Sequence, residues 1–147
     1  MGKRRQAREL ALKVLFQVDV GKCPAQEALE LSCEAAPYDK ETVAFARELV
    51  EGAVSACEHL DSIISRYAED WTLDRMANVD RNILRLAAYE MLFRPDIPCG
   101  VSIDEAVDLA KKYSTEQSGK FVNGILGSLS RDLDAGRMAP PEKAQGQ

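Results

Sequence analysis

The run Lys120-Phe121-Val122-Asn123-Gly124-Ile125-Leu126 sets a lysine beside an aromatic ring where an amphipathic helical pattern begins, with Val122, Ile125, Leu126 and Leu129 on one face. Backbone N–H groups at a helix start attract phosphate, and an exposed ring gives a base a surface to stack on. A second basic element, Lys3-Arg4-Arg5-Gln6-Ala7-Arg8, lies near the other end of the chain. Two such elements in an otherwise acidic protein point to RNA. Periodicity alone leaves Phe121 open between base stacking and core packing, because it falls at the edge of the apolar face.

The charge distribution narrows the choice of polyanion. Residues 1–13 carry five cations against Glu9, a local charge of +4, and the rest of the chain carries −9 for a total of −5. A protein that coats duplex DNA is more often basic throughout. This one offers a local basic arm, whose bland alternative is a solvated, disordered terminus.

The elements that must position these residues are helical. Ala7, Leu10, Ala11, Val14, Leu15 and Val18 recur at helical spacing, with Gly21 placed to close the helix in a left-handed cap. A short helix is predicted from Pro24 to before Pro37. A longer one follows, capped by Asp39, with Val43, Ala46, Val50, Ala53, Val54 and Cys57 inward. Asp61 is placed to cap the next. From Asp74 a pattern runs through Val79, Ile83, Leu86, Ala87 and Met91, and must stop near Arg94 because Pro95 follows. Ser102-Ile103-Asp104-Glu105 reads as a capping box that opens a further helix. Residues 114–118 form a polar break before the last helix, which fades at Gly136.

These segments predict an all-α fold of about seven helices and no strands. One helical domain is expected over residues 1–135, with sub-bundles of about 1–70 and 71–135 and a disordered tail at 136–147. The 46% apolar content can build a core without disulfides or metal. Trp71 is expected as a core plug between sub-bundles, and Tyr89 as core or half-buried.

Composition argues against several function classes. No run of about 18 apolar residues appears that could span a membrane, and no apolar stretch follows the N-terminal charges as in a secretory signal. Cys23, Cys33, Cys57 and Cys99 form no Cys-x-x-Cys pair, and His59 is the single histidine, so a zinc site is not expected. Structural cysteines in a reducing cytosol are the better reading. There is no Gly-rich phosphate loop, nucleophile elbow or His-Glu-x-x-His pair. Asp104, Glu105 and Asp108 cluster, but Asp104 and Asp108 share what should be a solvated helix face. His59 is read as a helix-dipole partner rather than a base.

Several motifs, taken in order and spacing, carry a family resemblance. They are Arg4-Arg5-Gln6-Ala7-Arg8-Glu9, Phe45-Ala46-Arg47-Glu48-Leu49-Val50-Glu51-Gly52, Ile83-Leu84-Arg85-Leu86-Ala87-Ala88-Tyr89-Glu90-Met91, Ile97-Pro98, Ile103-Asp104-Glu105-Ala106-Val107-Asp108-Leu109-Ala110-Lys111 and Lys120-Phe121-Val122-Asn123-Gly124-Ile125-Leu126. With them the chain resembles the NusB family of bacterial transcription antitermination factors, up to about Leu133. The resemblance implies an all-α fold of two small helical bundles. It implies binding to the boxA element of ribosomal RNA leader transcripts together with NusE, the ribosomal small-subunit protein. It further implies delivery to RNA polymerase with other Nus factors, in support of processive transcription of ribosomal RNA operons in the cytoplasm. No cofactor and no catalysis are implied.

Carried over by position, the resemblance implies RNA contacts at Arg4, Arg5 and Arg8, with Lys3 as an extra charge, then at Phe16, Gln117, Lys120 and Phe121. Gln6 stands where a further arginine can occur, and Phe16 lacks the hydroxyl of the tyrosine often found there. Asp80, Arg81, Leu84 and Arg85 are expected to face NusE. Two other readings stand beside this one. One is the RNA-binding domain related to RNA cytosine methyltransferases, disfavoured because no methyl-donor motif is present. The other is a homodimeric helical protein-interaction module with an incidental basic arm.

Overall fold

A computed structural model describes residues 2–69 and 72–139. Its helices are α1 (Lys3–Asp19), α2 (Ala25–Glu34), α3 (Lys40–Ser55), α4 (Cys57–Tyr67), α5 (Asn78–Phe93), α6 (Cys99–Tyr113) and α7 (Glu116–Asp134), with a 3-10 turn at Leu73–Arg75 before α5. Among the described residues there is no strand, in keeping with the absence of period-two patterning.

The helix α5 is the axis of the fold. It packs against α1, α3, α4, α6 and α7, and its apolar side chains Ile83, Leu84, Leu86, Ala87, Ala88, Met91 and Leu92 are buried. A helix covered on several sides needs apolar residues around much of its circumference rather than on one stripe. The helices α1 and α3 close over one side of α5, with α2 packed on both of them, and the neighbours α6 and α7 close over the other. One continuous apolar core joins them.

Local signals set most boundaries. The Asp39 carboxylate accepts from the Glu41 N–H at 3.1 Å and starts α3. Thr115 Oγ1 accepts from the Ser118 N–H at 2.9 Å and starts α7, and Gly136 past its end has φ +75°.

Several expected boundaries differ. The helix expected from Asp74 begins at Asn78, after the 3-10 turn, and α7 begins at Glu116, inside the expected polar break. The left-handed residue after α1 is Lys22 (φ 55°), not Gly21. Gly21 is required for another reason, since a Cβ there would lie 2.8 Å from the Gln17 carbonyl oxygen. Asp61 does not cap α4, which begins four residues earlier at Cys57. It sits mid-helix and holds Arg85. Ser102 likewise opens no helix, because α6 begins at Cys99; its hydroxyl is buried and donates to Glu90. Short polar side chains are ambiguous in this way, since a cap and a buried hydrogen-bond donor share the same residue types. Val54, expected inward, is 37% exposed. Trp71 and residues 140–147 lie outside the described residues, but the chain stays packed beyond α7, where Met138 is buried.

Tyr89 is half-buried and stacks on Phe93, with centroids 5.0 Å apart. Its ring lies against Gly52 of α3 so closely that a Cβ at Gly52 would overlap it. Gly52→Ala is therefore expected to destabilise the fold by about 1–3 kcal/mol, outweighing the roughly 1 kcal/mol that alanine gains over glycine in a helix. Denaturant unfolding checks this. A stabilised variant would mean that Tyr89 moves aside without cost.

Candidate nucleic-acid interface

Gly2 precedes α1 and supplies no side-chain cap, and the first turn of the helix has no acidic residue. Cations at a helix N-terminus oppose the macrodipole. Here each is held by a partner from elsewhere in the chain. Lys3 Nζ lies 3.3 Å from Asp39 and 3.1 Å from Glu41. The Arg4 guanidinium lies over the Phe45 ring, 4.5 Å from its centroid. Arg5 donates through Nε and Nη2 to both oxygens of Glu105 (3.1 and 2.6 Å), and through Nη2 to Asp108 at 3.0 Å. Those bonds hold the Glu105 carboxyl below the usual glutamate range. The tie between α1 and α6 is therefore at full strength above that range and is lost as pH falls through the lowered value.

Arg8 differs from its neighbours. Its side chain is 5% exposed and donates through Nε and Nη2 to both oxygens of Glu90, each at 2.8 Å, where Ser102 adds a third donor at 2.9 Å. It is a buried bracket joining α1, α5 and α6.

Lys120 and Phe121 stand in the second turn of α7, not at its start, because the helix begins at Glu116. Gln117 and Lys120 are exposed and Phe121 is half-buried, its ring packed against the core. The two basic elements, far apart in sequence, meet across α6. One hollow is lined by Gly2, Arg4, Arg5, Arg8 and Glu105. A second, lined by Arg5, Glu9, Glu105, Asp108 and Lys112, adjoins it. Asp108 is shared in turn with a third, which holds Lys111, Lys120 and Asn123. The result is one surface running from Arg4 to Lys120. Beyond Lys112, whose Nζ lies 5.3 Å from the Tyr113 ring centroid, Tyr113 and Phe16 share an apolar hollow with Leu12 and Val79. Phe16 and Tyr113 are each 37% exposed.

Known proteins resemble this chain in fold and in sequence. A model of the NusB family matches residues 5–131. The transcription antitermination protein NusB of Heliobacterium modesticaldum is 52% identical over 144 residues, spanning 98% of this chain and 68% of that protein. The chain belongs to the NusB family. The NusB of Bacillus subtilis is 46% identical over 132 residues, 90% of this chain and 98% of its own length. Among solved structures, T. maritima NusB superposes with a TM-score of 0.83 at 41% identity, covering 98% of this chain and 97% of that one. A chain from the crystal structure of antitermination factors NusB and NusE in complex with dsRNA also gives 0.83, at 34% identity, covering 89% and 98%.

Against this NusB fold, the residues carried over by position divide. Arg4, Arg5 and Lys120 line adjoining hollows, Lys3 and Gln117 are exposed near the starts of α1 and α7, and Phe16 is exposed in the apolar hollow beside Tyr113. Arg8 lines the same hollow as Arg4 and Arg5, but its side chain is 5% exposed and its guanidinium is committed to Glu90, which leaves it little to offer a phosphate. The four residues expected to face a partner do not form an open face. Leu84 is fully buried. Asp80 is 7% exposed and accepts from Ser118, while Arg81 is 9% exposed and donates to Asp19, Asn78 and the Leu73 carbonyl. Arg85 pairs with Asp61 and Asp19. The reason is the central position of α5, whose polar side is roofed by α1, α4 and α7. Their spacing of three and four does place them on neighbouring positions, but spacing does not reveal that other helices cover them.

Three residues of this surface were not singled out. Lys111, Lys112 and Tyr113 end α6 as two cations and a ring, the same pairing of types that marks Lys120-Phe121. Phe45 was missed as well. It is an apolar residue that serves as the platform beneath Arg4.

Proposed function

We propose that this protein is a non-catalytic, cytoplasmic RNA-binding factor that acts with NusE in transcription antitermination. Its ligand is single-stranded boxA-type RNA of ribosomal RNA leader transcripts, and its setting is the RNA polymerase complex with the other Nus factors. The observation that carries the reading is the single surface on which the arm of α1 and the first turns of α7 meet over α6. Cations on such a surface contact phosphates, while Phe16, Tyr113 and the half-buried Phe121 offer rings to splayed bases. Membership of a family whose relatives are transcription antitermination proteins supports the same reading. The likeness to a chain solved in a complex of NusB and NusE with dsRNA supports the partnership and RNA as the ligand class. The acidic remainder of the chain suits a basic ribosomal partner.

Titrating a boxA-type RNA and its duplex form into the protein, with and without NusE, tests the proposal. Binding should be stronger to the single strand and tighter with NusE, since a second RNA-contacting chain raises the local concentration of contacts. With Lys3, Arg4, Arg5 and Lys120 on phosphates, log affinity should fall against log salt with a slope of about −3, at roughly 0.7 per contact. Equal affinity with and without NusE would remove the partnership, and a flat salt response would remove the phosphate contacts.

A further inference from the structure

Five carboxylates line the hollows between Arg4 and Lys120: Glu9, which accepts from Lys112 at 2.6 Å, Asp104, Glu105, Asp108 and Glu116. Two of them close on Arg5. Glu105 and Asp108 stand three residues apart on α6, Glu105 half-buried and Asp108 exposed, so their charges share one face. Both are turned onto Arg5, Glu105 through both oxygens and Asp108 through one. A fork of two parallel N–H···O bonds is also how a guanidinium takes a phosphate. In the free protein the carboxylates thus fill the place a phosphate would take on Arg5.

The two differ in accessibility. The Asp108 side chain is 57% exposed and Glu105 18%, with Glu105 also 3.9 Å from Arg8 Nη1. An incoming phosphate meets Asp108 first. Once displaced, neither carboxylate leaves, because both are fixed on a helix in the middle of the path, where they repel the phosphates beside them. A polyanion that offers charge alone gains little by opening this arrangement. An RNA whose bases also stack on rings along the surface gains more than it loses.

We propose that Glu105 and Asp108 are specificity-determining residues, forming a carboxylate cage around Arg5 that excludes polyanions bound through their backbone alone. The inference rests on the RNA-binding reading above. It is tested with Glu105→Gln/Asp108→Asn against Asp104→Asn/Glu116→Gln. The latter pair makes the same change of charge on the same surface, while the carboxylates bonded to Arg5 stay in place. Thermal melting verifies folding, and Asp108→Asn alone serves if the double variant does not fold.

A boxA-type RNA and an oligouridine of equal length are titrated into each protein. Opening the cage should raise oligouridine affinity about three- to tenfold beyond the control pair, the scale of two exposed ion pairs released. Its salt slope should steepen by about 0.7, one added phosphate contact. Affinity for the boxA-type RNA should rise less, so discrimination falls. Equal shifts in the two double variants would overturn the cage and leave only net charge. If the wild-type chain binds neither RNA, the RNA reading fails, and retention on heparin decides the cage separately. Later elution of the Glu105/Asp108 variant than of the control supports it, and co-elution overturns it.

Discussion

Arg8→Ala is expected to lower the stability of the fold by about 3–5 kcal/mol, because it leaves the Glu90 carboxylate buried without its cation. Glu90 is 1% exposed, and Ser102 would remain as its single donor from the bracket. Domains of this size are held by only about 5–15 kcal/mol, so the melting temperature should fall by roughly 10 °C or more. Glu90→Ala should cost a similar amount. Arg8→Met/Glu90→Leu should recover much of the loss, since an apolar pair of similar volume avoids the desolvation of two charges. The experiment also decides the role of Arg8. A variant that melts like the wild type but no longer binds RNA would return Arg8 to the interface and contradict its burial.

The second large effect is on binding without stability. Arg4→Ala/Arg5→Ala/Lys120→Ala should weaken RNA binding about a hundredfold or more, as three charge-assisted contacts are lost. It should flatten the salt slope by about 2. The melting temperature should change little, because the interactions removed are exposed ones. Arg5 is 44% exposed, and Arg4, itself an exposed residue, rests over the Phe45 ring. Losing Arg5 also leaves Glu105 and Asp108 unneutralised on the path, so its share should exceed that of Lys120. A triple variant that keeps full affinity would show that RNA lies elsewhere on the molecule.

Phe121→Ala falls between these two cases. The ring is half-buried and packs on the core, so some stability is lost on truncation, less than the roughly 3–5 kcal/mol of a fully buried phenylalanine. If it also stacks on a base, RNA binding drops by about 1–3 kcal/mol beyond that of the correctly folded fraction. Melting and titration of the same variant separate the two losses. An RNA affinity equal to wild type would make Phe121 purely a packing residue.

Much of the fold is legible from local chemistry. Apolar residues at helical spacing mark the buried faces of α1 and α7. Asp39 caps α3, Pro95 follows the end of α5, and a polar break precedes α7. These are interactions within a turn or two of chain, and residue type and spacing are enough to specify them. The basic arm and the Lys120-Phe121 pair are legible for the same reason, since a concentration of charge beside a ring is a property of the sequence itself. What only the tertiary structure decided is how the polar residues are spent. Arg8 reaches Glu90 across 82 positions and Arg5 reaches Glu105 across 100. Asp61 and Ser102 serve partners on other helices rather than caps. Helical periodicity says which residues share a face, but not that α5 is enclosed on several faces. Arg81 and Arg85 therefore read as surface in one dimension and lie in largely covered ion pairs between helices in three. The same packing turned two basic segments at opposite ends of the chain into one surface, with a pair of carboxylates at its centre.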